Sequence, residues 1–294
     1  MKKNMRGKRR NIILGVIAVL MAVITLVLFL SSRPAVGDDD PALIATDPPE
    51  PPPTRLPPET EPTLPPPDPN PYGRLDFQFD KNNYLKLIEG ESITGIDISS
   101  YQGDVDFEAV KASGVEFVMV RLCYRGYGTG RIVYDKYGFQ NIEGALAAGL
   151  RVGVYFFSQA ITPEEAEEEA YFILSAIKDY DITMPVVYDW EPVSDPTART
   201  ANMDPETLTR CCKVFLETVE AAGYRPMLYF NRRQAQYHID ISYLKDYDFW
   251  LAAYTSRMEF PYKIDMWQYT NQGSVPGIEG DVDINVYFPY GPDD

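Results

Sequence analysis

Two carboxylates two positions apart are the residues best placed to do chemistry. Asp189 and Glu191 close the run Pro185-Val186-Val187-Tyr188-Asp189-Trp190-Glu191-Pro192. The apolar, β-branched lead-in predicts a buried strand, and Pro192, which cannot donate to a central ladder, ends it where the acids emerge. Side chains two apart on a strand share a face, so Asp189 and Glu191 point together while Trp190 points the other way. Neighbouring carboxyls can divide the roles of proton donor and charged stabiliser, because repulsion raises the proton affinity of at least one. Acids also sit at strand ends simply because strand ends meet water, so the pair alone leaves both readings open.

The rest of the composition puts the chemical burden on such acids. The chain has 294 residues, a formal net charge of -16 and a single histidine, His238. Nucleic acid would be repelled by this charge, and histidine-based catalysis has little to draw on. No metal or cofactor is expected. Cys123, Cys211 and Cys212 have no zinc-like or disulfide-framework spacing and read as packing residues, with a bridge through Cys123 left open outside the cell.

Four segments follow in order. Residues 1–10 hold six basic side chains and form a tail expected on the cytoplasmic side. Residues 11–31 are almost wholly apolar and long enough to cross a bilayer as a helix, predicting a single-pass anchor with the remainder outside the cell membrane. The rival reading, a cleaved signal peptide, would have a shorter apolar core and a small-x-small site, which Ser31-Ser32-Arg33-Pro34 lacks. Residues 32–74 form a linker with acidic side chains and fifteen prolines between Arg33 and Tyr72, too poor in apolar surface to fold and biased to extended conformations. At about 3.1 Å per residue it could hold a domain on the order of 100 Å from the membrane. Residues 75–294 have a globular composition, and a monomer is expected.

Within that last segment, five strand-helix alternations precede three strands with reduced crossovers. Strands are expected at 95–99, 117–122, 151–157, the Asp189 run, 226–230, 249–254, 264–269 and 282–288. Helices are expected at 106–113, 138–148, 163–178 and 204–222, with a less regular region at 234–247. Thr162-Pro163-Glu164-Glu165 and Asp204-Pro205-Glu206 carry helix-start signals: a capping residue, proline at the first position and acids near the positive end of the dipole. Eight strands close a parallel barrel, so the fold class is α/β, an incomplete TIM-like (β/α)5(β)3 barrel. Its active face would be the C-terminal end of the strands. Asp97 ends the first strand, Asp189 and Glu191 the fourth, and Asp283 lies in the last, which closes beside the first. Tyr101, Tyr155, Phe157, Tyr229, Tyr254, Trp267 and Tyr269 cluster at the same ends. Their flat apolar faces with polar handles suit sugar rings.

Four segments carry a family resemblance: Gly95-Ile96-Asp97-Ile98-Ser99-Ser100-Tyr101-Gln102-Gly103, Tyr188-Asp189-Trp190-Glu191, Met266-Trp267-Gln268-Tyr269 and Gly280-Asp281-Val282-Asp283-Ile284-Asn285. In this order they resemble the motifs of glycoside hydrolase family 25 lysozymes. The resemblance implies an incomplete barrel that hydrolyses the β-1,4 bond from N-acetylmuramic acid to N-acetylglucosamine in peptidoglycan glycan strands. By motif, Glu191 resembles the general acid, Asp189 its carboxylate partner, and Asp97 and Asp283 the remaining acids. Gln102, Arg121 and Gln268 join the aromatics as candidates for substrate contact. Arg121 and Arg125 flank a strand end where many members carry a lysine and then an acid, and Tyr155-Phe156-Phe157-Ser158 lacks a frequent histidine. Retaining, inverting and substrate-assisted routes all fit two acids on one strand. A silent wall-binding module or a hydrolase of another exported polysaccharide are the alternatives.

Overall fold

A computed structural model of the chain describes residues 64–289. The expected basic tail, the apolar span at 11–31 and most of the linker lie outside these residues. Among the described residues no helix is long and apolar enough to cross a membrane.

The described chain begins with a small antiparallel hairpin, β1 (Phe77–Phe79) and β2 (Leu85–Leu87). Strand β3 (Ile93–Ile98), helix α1 (Phe107–Ala112), strands β4 (Phe117–Arg125) and β5 (Ile132–Tyr134) and helix α2 (Gly138–Ala147) follow. Next come β6 (Arg151–Ser158), α3 (Pro163–Ile177), β7 (Val186–Trp190) and α4 (Pro205–Ala221). The chain ends with β8 (Pro226–Asn231), the short α5 (Arg232–Tyr237), β9 (Asp248–Ala252), β10 (Met266–Gly273) and β11 (Val282–Tyr287). Eight strands, in the order β3-β11-β10-β9-β8-β7-β6-β4, close into a barrel because β3 also pairs with β4; β5 extends the outer edge of β4.

The helix starts form as their sequences dictate. The Thr162 hydroxyl accepts from the Glu165 amide ahead of α3, and the Asp204 carboxylate accepts from the Thr207 amide ahead of α4. Buried faces of these helices pack on the outside of the barrel and form the larger core, where Cys123, Cys211 and Cys212 are buried and unbridged.

One expectation is corrected: the barrel is not all parallel. Strand β11 runs antiparallel to both β10 and β3. Residues 274–281, which join β10 to β11, are too few for the dozen-residue crossover that a parallel return needs. The reversal brings the first residues of β11, rather than its last, to the mouth, and there Asp283 pairs with Asp97. The stretch assigned by sequence to the end of the linker also lies against the barrel. The Asn70 amide donates to the Pro261 carbonyl at 2.9 Å, and the Tyr72 ring is 4.6 Å from that of Phe288.

Inside the barrel a second core of Phe117, Met119, Val187, Met227, Met266 and Tyr287 fills the floor. It fits because two strands carry no side chain where others need room. A Cβ at Gly95 would lie 2.2 Å from the Phe117 ring, and one at Gly153 would lie 2.6 Å from the Met119 side chain. Gly95→Ala is therefore expected to destabilise by about 1–3 kcal/mol through overpacking. Thermal denaturation of Gly95→Ala, Phe117→Leu and the double variant checks this: the double variant should lose less than the sum of the single losses.

Candidate active site

At the end of β7 the backbone must be held without a ladder, because Pro192 stops the strand. Side-chain amides do this. Gln234 donates to the Trp190 carbonyl, and Gln159 donates to the Glu191 carbonyl at 3.0 Å. The Gln159 oxygen accepts from the Thr200 hydroxyl at 2.5 Å. Both glutamines are buried, so the turn that aims Glu191 is fixed by satisfied polar contacts. Trp190 is buried in the outer layer beside His238, facing away from its acidic neighbours as its parity requires.

Asp97, at the end of β3, sits in a chain of hydrogen bonds. Its Oδ2 accepts from the Gln268 amide at 2.9 Å and the Asn285 amide at 2.8 Å. Gln268 in turn accepts from the Tyr229 hydroxyl at 2.9 Å, and Asn285 accepts from the Trp250 indole N–H at 2.9 Å. Each amide that donates to Asp97 is thus oriented through its carbonyl oxygen by an aromatic donor on β8 or β9.

These acids share one open cavity of about 550 Å³, lined by Asp97, Asp189, Glu191 and Asp283 with Tyr101, Tyr155, Tyr229 and Tyr254 among others. Burial and mutual repulsion load it with protons. Asp97 is pushed up to about 6 by burial, against the pull of Asn285 and Gln268. Burial, then the charges of Asp97 and Glu191, push Asp283 up to about 9. Burial also raises Asp189 well above the usual carboxylate range, reinforced by Glu191 and Asp97 and opposed by the Arg121 guanidinium. Asp189 Oδ1 is buried and has no hydrogen-bond partner among the described residues. An acceptor left bare in this way is costly unless a ligand group meets it.

Of the expected contact residues, Tyr101, Gln102, Arg121, Tyr155, Phe157, Tyr229, Tyr254 and Gln268 line the cavity. Arg121 does so from below: it is 1% exposed, paired with Asp135 at 2.8 Å, and stacked between the rings of Tyr101 and Tyr124. The Gln102 oxygen is engaged by the Ser99 amide, closing a capping box on the turn after β3. Trp267 and Tyr269 do not line this cavity: both point out of the barrel, and Tyr269 lines a neighbouring cavity on that side instead. Gln268 faces inward, so its neighbours on either side cannot. The Trp267 indole donates to the Ala253 carbonyl at 2.9 Å, and the Tyr269 hydroxyl accepts from the Leu85 amide at 3.2 Å.

Sequence reasoning missed Trp250 and Asn271 in the lining and Asn285 beneath Asp97. Asn285 had a usable signal, lying two residues from Asp283 on the same strand face. Asp135, the counter-ion of Arg121, had none, since it stands alone after a short strand.

Comparison with known proteins places the chain among glycosyl hydrolases. The profile of glycosyl hydrolases family 25 matches residues 96–278. The autolytic lysozyme of Clostridium acetobutylicum is 28% identical over 195 residues, 66% of this chain and 55% of that protein. The modular autolysin LytC from Streptococcus pneumoniae, solved in complex with a synthetic peptidoglycan ligand, is 27% identical with a TM-score of 0.61. That match covers 74% of this chain and 52% of LytC. A family 25 glycosyl hydrolase from Bacillus anthracis shares the fold at 24% identity and a TM-score of 0.57, over 68% of this chain and 91% of its own. The chain thus spans about half the length of the first two of these relatives.

The proton load has a measurable consequence at Asp283. A carboxyl whose pKa rises from about 4 unfolded to about 9 folded gives its full stability below the lower value and loses it progressively as pH climbs to the upper one. Asp283→Asn is therefore expected to raise the melting temperature at pH 7 by about 3–8 °C, for about 1–3 kcal/mol of relieved cost. At pH 3.5 the gain should vanish. Melting curves at pH 3.5, 7 and 9 check this, and a gain that does not grow with pH would contradict it.

Proposed function

This chain belongs to glycosyl hydrolases family 25, and on that premise we propose that it hydrolyses the β-1,4 bond between N-acetylmuramic acid and N-acetylglucosamine in bacterial peptidoglycan. The observation that carries the reading is the convergence of Asp97, Asp189, Glu191 and Asp283, four of the six carboxyl residues in the lining, on one sugar-sized, tyrosine-lined cavity at the mouth of the barrel.

The roles follow from depth and partners. Glu191 stands half-buried at the end of β7, where a leaving glycosidic oxygen can reach it, and is the proton donor. Asp189 lies deeper in the same lining, and its Oδ1 is buried without a hydrogen-bond partner among the described residues. The acetamido N–H of an N-acetylated sugar is a donor of the kind this atom lacks. Once that contact forms, Asp189 can orient the acetamido group for attack on the sugar's own anomeric carbon, and this favours the substrate-assisted route over the other two. Asp97, held by two amide donors, retains negative charge more readily than its neighbours and stabilises the developing oxocarbenium ion.

We further propose that residues 11–31 anchor the chain in the cell membrane with the barrel outside, acting as a monomer on wall glycan. The support is the length of the apolar segment, the basic residues before it and the Pro-rich acidic stretch after it. If so, the full chain should remain in the membrane pellet after carbonate washing. A soluble product starting shortly after residue 31 would point to cleavage instead.

The chemistry is tested with purified cell walls. Glu191→Gln should release soluble muropeptides at least about 100-fold more slowly than the unmutated chain, the usual scale for loss of a general acid. Release at the unmutated rate would remove Glu191 from the mechanism. Products read by anomer-resolved NMR should keep the β configuration at the newly formed reducing end if the acetamido group participates.

A further inference from the structure

Beside the carboxylate cavity lies a second one of about 610 Å³, built where the N-terminal hairpin meets the outer part of β10 and the loop after β9. Its wall is rigid. The hairpin turn is closed by Asp80, whose Oδ1 accepts from the amides of Asn82 and Tyr84. The base of the hairpin is fixed to the barrel by Trp267 and Tyr269: Phe77 packs edge-on against Trp267 at 5.2 Å, and the Tyr269 hydroxyl takes the Leu85 amide. The hairpin lies before residue 96, where the family match begins.

The two cavities are continuous in their lining, because Tyr254 and Asn271 belong to both. None of the residues lining the second cavity is charged, in a chain with a net charge of -16. Instead it presents amides and hydroxyls, such as Asn82, Asn83 and Gln272, together with the half-exposed rings of Phe79 and Tyr254. Flat apolar rings among neutral hydrogen-bonding groups match a sugar, with its C–H faces, hydroxyls and acetamido groups. They do not match the charged ends of a peptide. Charged ligands have a better partner across Tyr254, where Arg232, Arg233 and His238 line a smaller cavity next to Glu191.

We propose that the hairpin cavity is a glycan subsite that holds a neutral N-acetylglucosamine unit of the strand beyond the sugars seated at the carboxylates. It rests on the hydrolase reading above and sharpens it: the enzyme should prefer long glycan strands to short fragments.

The test compares the full chain with Phe79→Ala and Gln272→Ala on two substrates, peptide-free glycan strands and a soluble wall tetrasaccharide. Phe79 and Gln272 are exposed and lie outside the carboxylate cavity, and equal melting temperatures would confirm that folding is intact. Each variant should lose about tenfold in kcat/KM on the strands, the equivalent of one ring or hydrogen-bond contact, and less than twofold on the tetrasaccharide. Equal losses on both substrates, or no loss on either, would overturn the subsite. If the unmutated chain cleaves neither substrate, the hydrolase reading fails separately. The subsite is then decided by titrating the Glu191→Gln chain and its Phe79→Ala derivative with a hexamer of N-acetylglucosamine. Weaker binding by the derivative supports the subsite, and unchanged binding rejects it.

Discussion

Crowding carboxyl groups inside a barrel mouth costs free energy, and much of the upper half of this molecule is arranged around that cost. Asp97, Asp189 and Asp283 all have their proton affinity raised, chiefly by burial, and each charge makes the next harder to bear. The fold answers differently at each acid. Asp97 has two amide donors, themselves oriented by Tyr229 and Trp250. Asp189 has the opposing charge of Arg121, and Asp283 has no comparable relief. The result is a graded set, with one acid poised near neutrality and another held protonated, as a reaction needing both a proton and a negative charge requires.

Arg121 shows how far this arrangement reaches below the mouth. A buried guanidinium is tolerable only when its donors are met, and Asp135, Ser100 and two stacked rings meet them. Asp135 also accepts from the Ser100 and Tyr137 amides, tying the turn after β3 to the start of α2. The positive charge facing the site therefore depends on a residue outside the barrel ring. The same logic recurs behind β4, where Arg125 is buried against Glu168 and Glu169 of α3. There burial, opposed by Arg125, pushes Glu169 up to about 7, so the stability gained by burying this group is full in acid and is lost as pH rises to that value, while the ion pair itself forms only as Glu169 ionises.

Much of this was legible in the chain itself, for reasons of periodicity. The alternation of a strand put Asp189 with Glu191 and turned Trp190 away, and capping signals located α3 and α4. The same rule, applied to β10, would have excluded Trp267 and Tyr269, since choosing Gln268 as inward commits its neighbours outward. Parity outweighs aromatic type there. The direction of β11 was also readable, because a connection of eight residues cannot carry a parallel crossover. The pairing of Arg121 with Asp135 and the anchoring of the hairpin were not readable. Both join residues distant in sequence whose local patterns carry no trace of their partners.

The outward turn of Trp267 and Tyr269 links the fold to its margin. Their inner neighbour Gln268 orients Asp97, while their own rings hold the hairpin against the outside of the same strand. One short segment of β10 thus sets the acid on one face and the wall of the adjoining cavity on the other. A shift of β10 by one residue would exchange these faces, removing the amide from Asp97 and the anchor from the hairpin together. The register of β10 is pinned from both sides, by parallel pairing of Gln268 with Ala252 and antiparallel pairing with Asn285. The hairpin and Asp97 are therefore coupled through one strand whose register is fixed on both edges, which holds the two cavities at a set spacing.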